Sequence, residues 1–225
     1  MENEFESNNV INTGNIIFAK TFQWMFMGLL ITGLISWFVY SSGLYNDILQ
    51  GGMFNVLLIA ELAVVLILSF VINKCSPTIA AIMFFAYAIM NGITFSVIFA
   101  VFQLTSIVIL FFAAAAIFGI MALYGYRTDK DLSIFAPLFL TTIIIGIVVS
   151  LINLAVGNSL VDIVVSWVML LAFSGVTAYD VQKIKNLSEN SSMDQSKIHI
   201  YGALQLYLDF INIFLRLLSI FGRRK

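Results

Sequence analysis

The chain has 225 residues, 61% of them hydrophobic and only 10% charged, whereas soluble domains run to about 45–50% apolar and about 25% charged residues. No soluble interior of this size hides so much apolar surface, so the composition predicts an all-α membrane protein. The net charge of −1 gives no electrostatic footing for nucleic acid. A single cysteine, Cys75, and a single histidine, His199, exclude an intrachain disulfide, a cysteine metal cluster and the paired-histidine helix of a metalloprotease.

The opening residues, Met1-Glu2-Asn3-Glu4-Phe5-Glu6, are acidic where a secretory signal starts on a basic region. Residues 1–20 are therefore predicted to form an acidic, polar tail. A spanning helix needs about 20 mostly apolar residues. Residues 21–225 offer seven such segments: Phe22–Tyr40, Phe54–Ile72, Thr78–Val101, Ser106–Tyr124, Ile134–Val156, Val161–Tyr179 and Ile200–Phe221. They predict one domain, a seven-helix transmembrane bundle. Short polar breaks separate the segments, among them Ser41-Ser42-Gly43, Asn73-Lys74-Cys75-Ser76-Pro77 and Gly157-Asn158-Ser159. The one long polar loop is predicted at Val181–Lys197, with a mobile middle at Ser188–Asp194.

Lys/Arg bias in short loops orients such a bundle. Lys20, Lys74, Arg127, Lys130, Lys183, Lys185 and Lys197 fall on the side of the N-terminus, while the loops near Asp47, Gln103 and Asp162 carry neither Lys nor Arg. The N-terminus is predicted to be cytoplasmic. Arg223-Arg224-Lys225 runs against this rule if there are seven spans.

The last segment is the most patterned. At 100° per residue, Tyr201, Gln205, Asp209, Asn212, Arg216, Ser219 and Arg223 share an arc of roughly 80°. Such a stripe is either a seam of polar contacts to neighbouring helices or a water-accessible lining. A charged side chain at membrane depth costs roughly 2.5–3.5 kcal/mol on insertion scales, more than a seam requires. Asp180 ends the sixth segment, either as an interfacial residue screened by Lys183 and Lys185 or as a carboxylate facing the negative end of the helix dipole. Glu61, inside the second segment, is an intramembrane acid and so a site candidate; the alternative is a protonated side chain bonded to a neighbouring helix. Asn91, Thr94, Ser96 and Asn153 read as packing hydrogen bonds, and Trp24, Trp37 and Trp167 as anchors or packing. A hydrolase is not predicted, because the sole histidine stands at a helix entrance. A retinal-type receptor is not predicted either, because the last segment holds no buried lysine.

Ala178-Tyr179-Asp180-Val181-Gln182-Lys183, followed by Ala203-Leu204-Gln205-Leu206-Tyr207-Leu208-Asp209-Phe210-Ile211-Asn212-Ile213-Phe214, closely resembles the bacterial branch of the Bax inhibitor-1 (transmembrane Bax inhibitor motif) family. Ala122–Leu132 and Gly92-Ile93-Thr94-Phe95-Ser96 are weaker matches. The resemblance implies a seven-helix bundle with the last helix central, set in a bacterial plasma membrane. It implies a pH-sensitive calcium leak governed by an aspartate pair at the positions of Asp180 and Asp209, with Glu61 on the pore. An arginine latch common in the family falls where this chain has Asn73-Lys74. Lys74 is the possible substitute, without the bidentate fork of arginine, and Arg216 is a competitor for Asp209.

Two carboxylates a few ångströms apart in low dielectric do not both ionise cheaply, so Asp180 and Asp209 are predicted to share a proton and to titrate as a unit. Ca²⁺ takes several oxygen ligands; the two aspartates, Glu61, Gln205 and Asn212 would offer it a weak, transient path, with no resident cofactor. The partners expected are the bilayer, Ca²⁺ and protons. The rival reading is a regulatory membrane protein that binds membrane protease or stress-response partners and transports nothing.

Overall fold

The computed structural model describes the backbone of residues 2–50, 53–71, 74–190 and 195–225. Among these the elements are α1 (Glu2–Ser41), α2 (Tyr45–Gln50), α3 (Met53–Val71), α4 (Pro77–Val101), α5 (Leu104–Arg127), a 3₁₀ turn (Leu132–Phe135), α6 (Ala136–Val156), α7 (Ser159–Asn190) and α8 (Gln195–Phe221). Among the described residues six helical stretches are long and apolar enough to cross a membrane: Ile16–Ser41, Pro77–Val101, Leu104–Arg127, Leu132–Val156, Ser159–Glu189 and Gln195–Phe221. The other predicted span corresponds to α3, whose apolar stretch is the shorter Val56–Ser69.

Local chemistry sets the helix ends. Ser76 is the N-cap of α4, its side chain accepting from Ile79 N at 3.4 Å, and Pro77 fills the first turn, where a missing N–H costs nothing. Pro137 likewise stands in the first turn of α6, which stops at Gly157 with φ at +69°, a conformation glycine adopts without a Cβ penalty. Asn158 then caps α7, its Oδ1 accepting from Leu160 N at 2.9 Å.

Helix ends and membrane ends part company at three places. The predicted tail is helical from Glu2, since neither Gly nor Pro occurs before Gly14 to stop it. Most of the predicted loop Val181–Lys197 is helix: α7 continues to Asn190 and α8 begins at Gln195, with 191–194 outside the described residues. No Gly or Pro separates Gly175 from Gly202, and Val181 and Ile184 are buried on the extension. Third, α2 is an unpredicted turn of helix after α1. It forms because Ile48 finds a buried place against Val39 and Val97.

By packing, the chain divides into two compact units. The first comprises Met1–Gln103, Asn186–Tyr207 and Arg224–Lys225. Here α1 runs along α4, and the fully buried Phe84 and Tyr207 meet edge to face at 5.7 Å. Gly28 permits this, because a Cβ there would lie 2.5 Å from Phe84 Cζ; small residues let membrane helices approach in this way. The second unit comprises Leu104–Lys185 and Leu208–Arg223. Its core sets Phe111 and Phe118 of α5 against Phe210 of α8, at 5.1 and 5.7 Å. Of the six long stretches α8 is the most buried, 56% of its apolar window against 11% for that of α6.

Candidate functional site

Asp180 of α7 and Asp209 of α8 both belong to the second unit. Their exposures are 6% and 3%, and each lies within the other's electrostatic reach. Among the described residues Asp209 Oδ2 is buried with no hydrogen-bond partner, which costs free energy unless a proton or a cation satisfies it. Lys183, one turn on from Asp180, is the cation that acts on that carboxylate.

The position of Asp180 differs from the sequence expectation. It does not end its helix: α7 runs ten residues further, to Asn190. The dipole acts within the last turn of a helix, so it contributes nothing at Asp180, and burial together with the neighbouring charges governs this carboxylate.

The polar end of α7 is clasped to the turn after α5. Gln182 Oε1 accepts from Leu132 N at 2.8 Å and its Nε2 donates to Lys130 O at 2.8 Å. Lys185 Nζ donates to Tyr126 O at 3.1 Å and sits 5.0 Å from the Tyr126 ring centre. Gly125 lies directly beneath Ala178, two residues before Asp180, where a Cβ would fall 2.1 Å from Ala178 O. Asp131 in the same turn accepts from Ser133 N at 2.9 Å, and hydrogen bonding from Ser133 holds its carboxyl below the ordinary value.

On the α8 stripe, Gln205 Nε2 donates to Tyr201 Oη at 3.2 Å and Asn212 Nδ2 to Leu208 O at 2.8 Å. Arg216 is a competitor for Asp209 only by helical spacing; the carboxylate that acts on it is that of Asp162, in the first turn of α7. Among the described residues Arg216 Nε is buried with no hydrogen-bond partner. Lys74 is exposed in the turn before α4, and Asn73, its neighbour in the possible latch, lies outside the described residues.

Glu61 is buried on α3 at 8% exposure, beside the Thr94 hydroxyl, with Oε1 unpartnered among the described residues. Tyr87 and Tyr207 stand in its electrostatic field. Thr32 Oγ1 donates to Ala88 O at 2.9 Å, which leaves the Tyr207 hydroxyl to donate to Thr32 Oγ1 at 2.7 Å. Sequence reasoning overlooked Thr32, Tyr87, Asp162, Gln182 and Tyr207. The signal for Tyr207 was present, as a hydroxyl-bearing ring two residues before Asp209 on a helix otherwise rich in Leu, Ile and Phe. Among the described residues no three or more His, Cys, Asp or Glu side chains are arranged to hold a metal ion; Asp180 and Asp209 are a pair and not a cage.

A family profile described as "Inhibitor of apoptosis-promoting Bax1" matches residues 14–225. The inner membrane protein YbhL of Escherichia coli is 39% identical over 213 residues, which cover 92% of this chain and 91% of that protein. An uncharacterized protein of Deinococcus radiodurans is 35% identical over 209 residues, covering 92% and 90%. An uncharacterized membrane protein of Streptococcus pyogenes is 33% identical over 215 residues, covering 93% of each. The chain is thus similar along almost its whole length to bacterial proteins, two of these three named as membrane proteins.

Proposed function

Because the chain belongs to the Bax inhibitor-1 family, we propose that it is a pH-sensitive calcium leak of a bacterial plasma membrane, gated by a proton shared between Asp180 and Asp209. One observation carries this reading: two buried carboxylates in each other's field, one of them with an unsatisfied oxygen. A proton between them satisfies both. Removing it leaves two buried like charges that repel, and adding a second removes the acceptor. Either change alters the contact between α7 and α8, and so biases a closed–open equilibrium. Weak oxygen sites suit a permeant Ca²⁺, which must leave as readily as it enters. Asn212 and Gln205 offer amide oxygens of this kind, and Glu61 beside Thr94 is a second station. No enzymatic step is proposed.

The proposal includes seven crossings, a central α8 and a cytoplasmic N-terminus. Tyr40, at the end of α1, and Phe99, at the end of α4, have ring centres 5.9 Å apart. Helices that both end at one face need a return between them, which supports counting α3. Its 19 residues span about 28 Å at 1.5 Å per residue, close to the hydrocarbon thickness of about 30 Å. Lys225 Nζ donates to Tyr40 Oη at 2.9 Å and to Phe99 O at 2.7 Å. This supports an even number of crossings between the ends of α4 and α8, and hence an odd total. It also offers a reason for cations on the uncharged side, since the Lys225 ammonium sits 4.9 Å from the Tyr40 ring centre and is held by the helix-end carbonyl of Phe99. The high burial of α8 supports its central place.

The test uses the full chain, purified and reconstituted in liposomes with an entrapped calcium dye, across acidic to neutral pH. Influx that changes with pH and loses that change in Asp209→Asn is the expected result. The leak is refuted by no influx at any pH, or by an Asp209→Asn variant with the wild-type profile. The family description speaks of inhibiting another protein, which favours the regulatory reading as the second. Under it the liposomes stay tight, and a membrane partner co-purifies from native membranes.

A further inference from the structure

The stripe that carries Asp209 also carries its opposite charge. Arg216 follows Asp209 by seven residues, roughly 10 Å along the axis of α8. Arginine on a membrane helix ordinarily extends its head group toward the interface. Here the residue is half-buried and its Nε is buried without a partner among the described residues, so that end of the guanidinium is withdrawn from water. The geometry around it is built: Ser166 Oγ, itself 1% exposed, donates to Ser219 Oγ at 3.0 Å, pinning the early turns of α7 to the last turns of α8. Asn153 Nδ2 donates to Asp162 Oδ1 at 3.0 Å, and Asn153 also closes the turn from α6, accepting from Asn158 N at 3.1 Å. Asp162, though exposed, is therefore held in place as a counter-charge by Asn153.

We infer that Arg216 is the selectivity-determining barrier of the cation path, and that Asp162 sets its height by partly cancelling its charge. This deepens the leak reading and rests on it. A cation that has reached Asp209 and moves along the stripe past Asn212 meets a fixed positive charge held in a poorly hydrated place. The repulsion scales with the charge of the ion, so Ca²⁺ is held back more than a monovalent ion. Asp162, exposed in the first turn of α7, offers the same cation a carboxylate at the far side of that barrier. Attraction at Asp209, repulsion at Arg216 and attraction at Asp162 together make a leak slow without plugging it.

The test is calcium influx into dye-loaded liposomes containing the full chain, with equal protein incorporated. Arg216→Gln raises Ca²⁺ influx at least about fivefold, and raises it more than K⁺ influx, if a charge several ångströms from the path is removed. Arg216→Lys keeps the charge and stays near the wild type. Asp162→Asn, a surface change that keeps an oxygen for Asn153, lowers Ca²⁺ influx about threefold or more, so the inference is tested even if Arg216→Gln fails to fold. Influx that is present, abolished by Asp209→Asn, and unmoved by Arg216→Gln and Asp162→Asn overturns the barrier and leaves the leak standing. Equal increases from Arg216→Gln and Arg216→Lys overturn it too, because packing and not charge is then responsible. Absence of any Asp209-dependent influx in the unmodified protein overturns both.

Discussion

Gly125→Ala is the substitution whose cost follows most directly from the geometry. The added methyl would stand 2.1 Å from Ala178 O and 2.8 Å from its C and Cα, where ordinary contact begins at 3.4 Å. The obstruction is backbone, so no rotamer relieves it, and α5 and α7 must part by about 1 Å at this turn. Overpacking of this kind costs about 1–3 kcal/mol, and an immovable neighbour places it at about 2–3 kcal/mol. Alanine returns about 1 kcal/mol through its better helix propensity, for a net loss of about 1–2 kcal/mol. At about 2–4 °C per kcal/mol for a chain of this size, the melting temperature falls by about 2–8 °C. The assay is thermal unfolding followed by circular dichroism in one detergent. Gly119→Ala is the control on the same helix, where a Cβ meets nothing within 4 Å, and its melting temperature stays level or rises. A Gly125→Ala protein as stable as the wild type, or an equal fall in Gly119→Ala, refutes the close-approach argument. Because Asp180 follows Ala178 by two residues, Gly125→Ala should also shift the pH profile of influx if the proposed leak holds.

Other expectations concern the polar contacts around the two units. Thr32→Val leaves the buried Tyr207 hydroxyl without its acceptor and costs about 1–3 kcal/mol, whereas Tyr207→Phe leaves Thr32 bonded to Ala88 O and costs about 0.5–1.5 kcal/mol. The double variant should lose less than the sum in a denaturant titration; strict additivity would deny the bond. Gln182→Leu should speed hydrogen exchange at Leu132 N–H while sparing Ser133 N–H, which Asp131 holds at 2.9 Å. The Ser133 contact has a pH sign as well. The Asp131 carboxyl is lowered by that hydrogen bonding, so protection at Ser133 is complete above the ordinary carboxylate range and disappears as pH falls through the lowered value.

Hydropathy made the apolar helices legible because hydrocarbon forces every backbone group into internal hydrogen bonds, and a run such as Thr78–Val101 has little choice. It failed where a helix outlives its membrane segment. At Val181 the apolar density drops and a loop was expected, yet Val181 and Ile184, three residues apart, bury one face and keep α7 wound to Asn190. That error also gave Asp180 a dipole it does not feel. Ile48 in α2 was illegible for another reason: its burial depends on Val39 and Val97, partners distant in sequence. At the site, the carboxylates announced themselves as costly residues in apolar runs. Their supports did not, because nothing in the local sequence reveals that Gln182 reaches back fifty residues to Leu132, or that the charge of Asp162 acts on Arg216.

The unbroken course of α7 past Asp180 bears on the choice between a leak and a regulator. The carboxylate is mounted on a shaft that continues for ten residues and finishes in Lys185-Asn186-Leu187-Ser188-Glu189-Asn190, where Glu189 is exposed. An α-helix transmits rotation and tilt along its length with little loss, and ten residues make an arm of about 15 Å. If the aspartate pair gates as proposed, a change of protonation at Asp180 and a partner bound about 15 Å further along the helix would act on one and the same element.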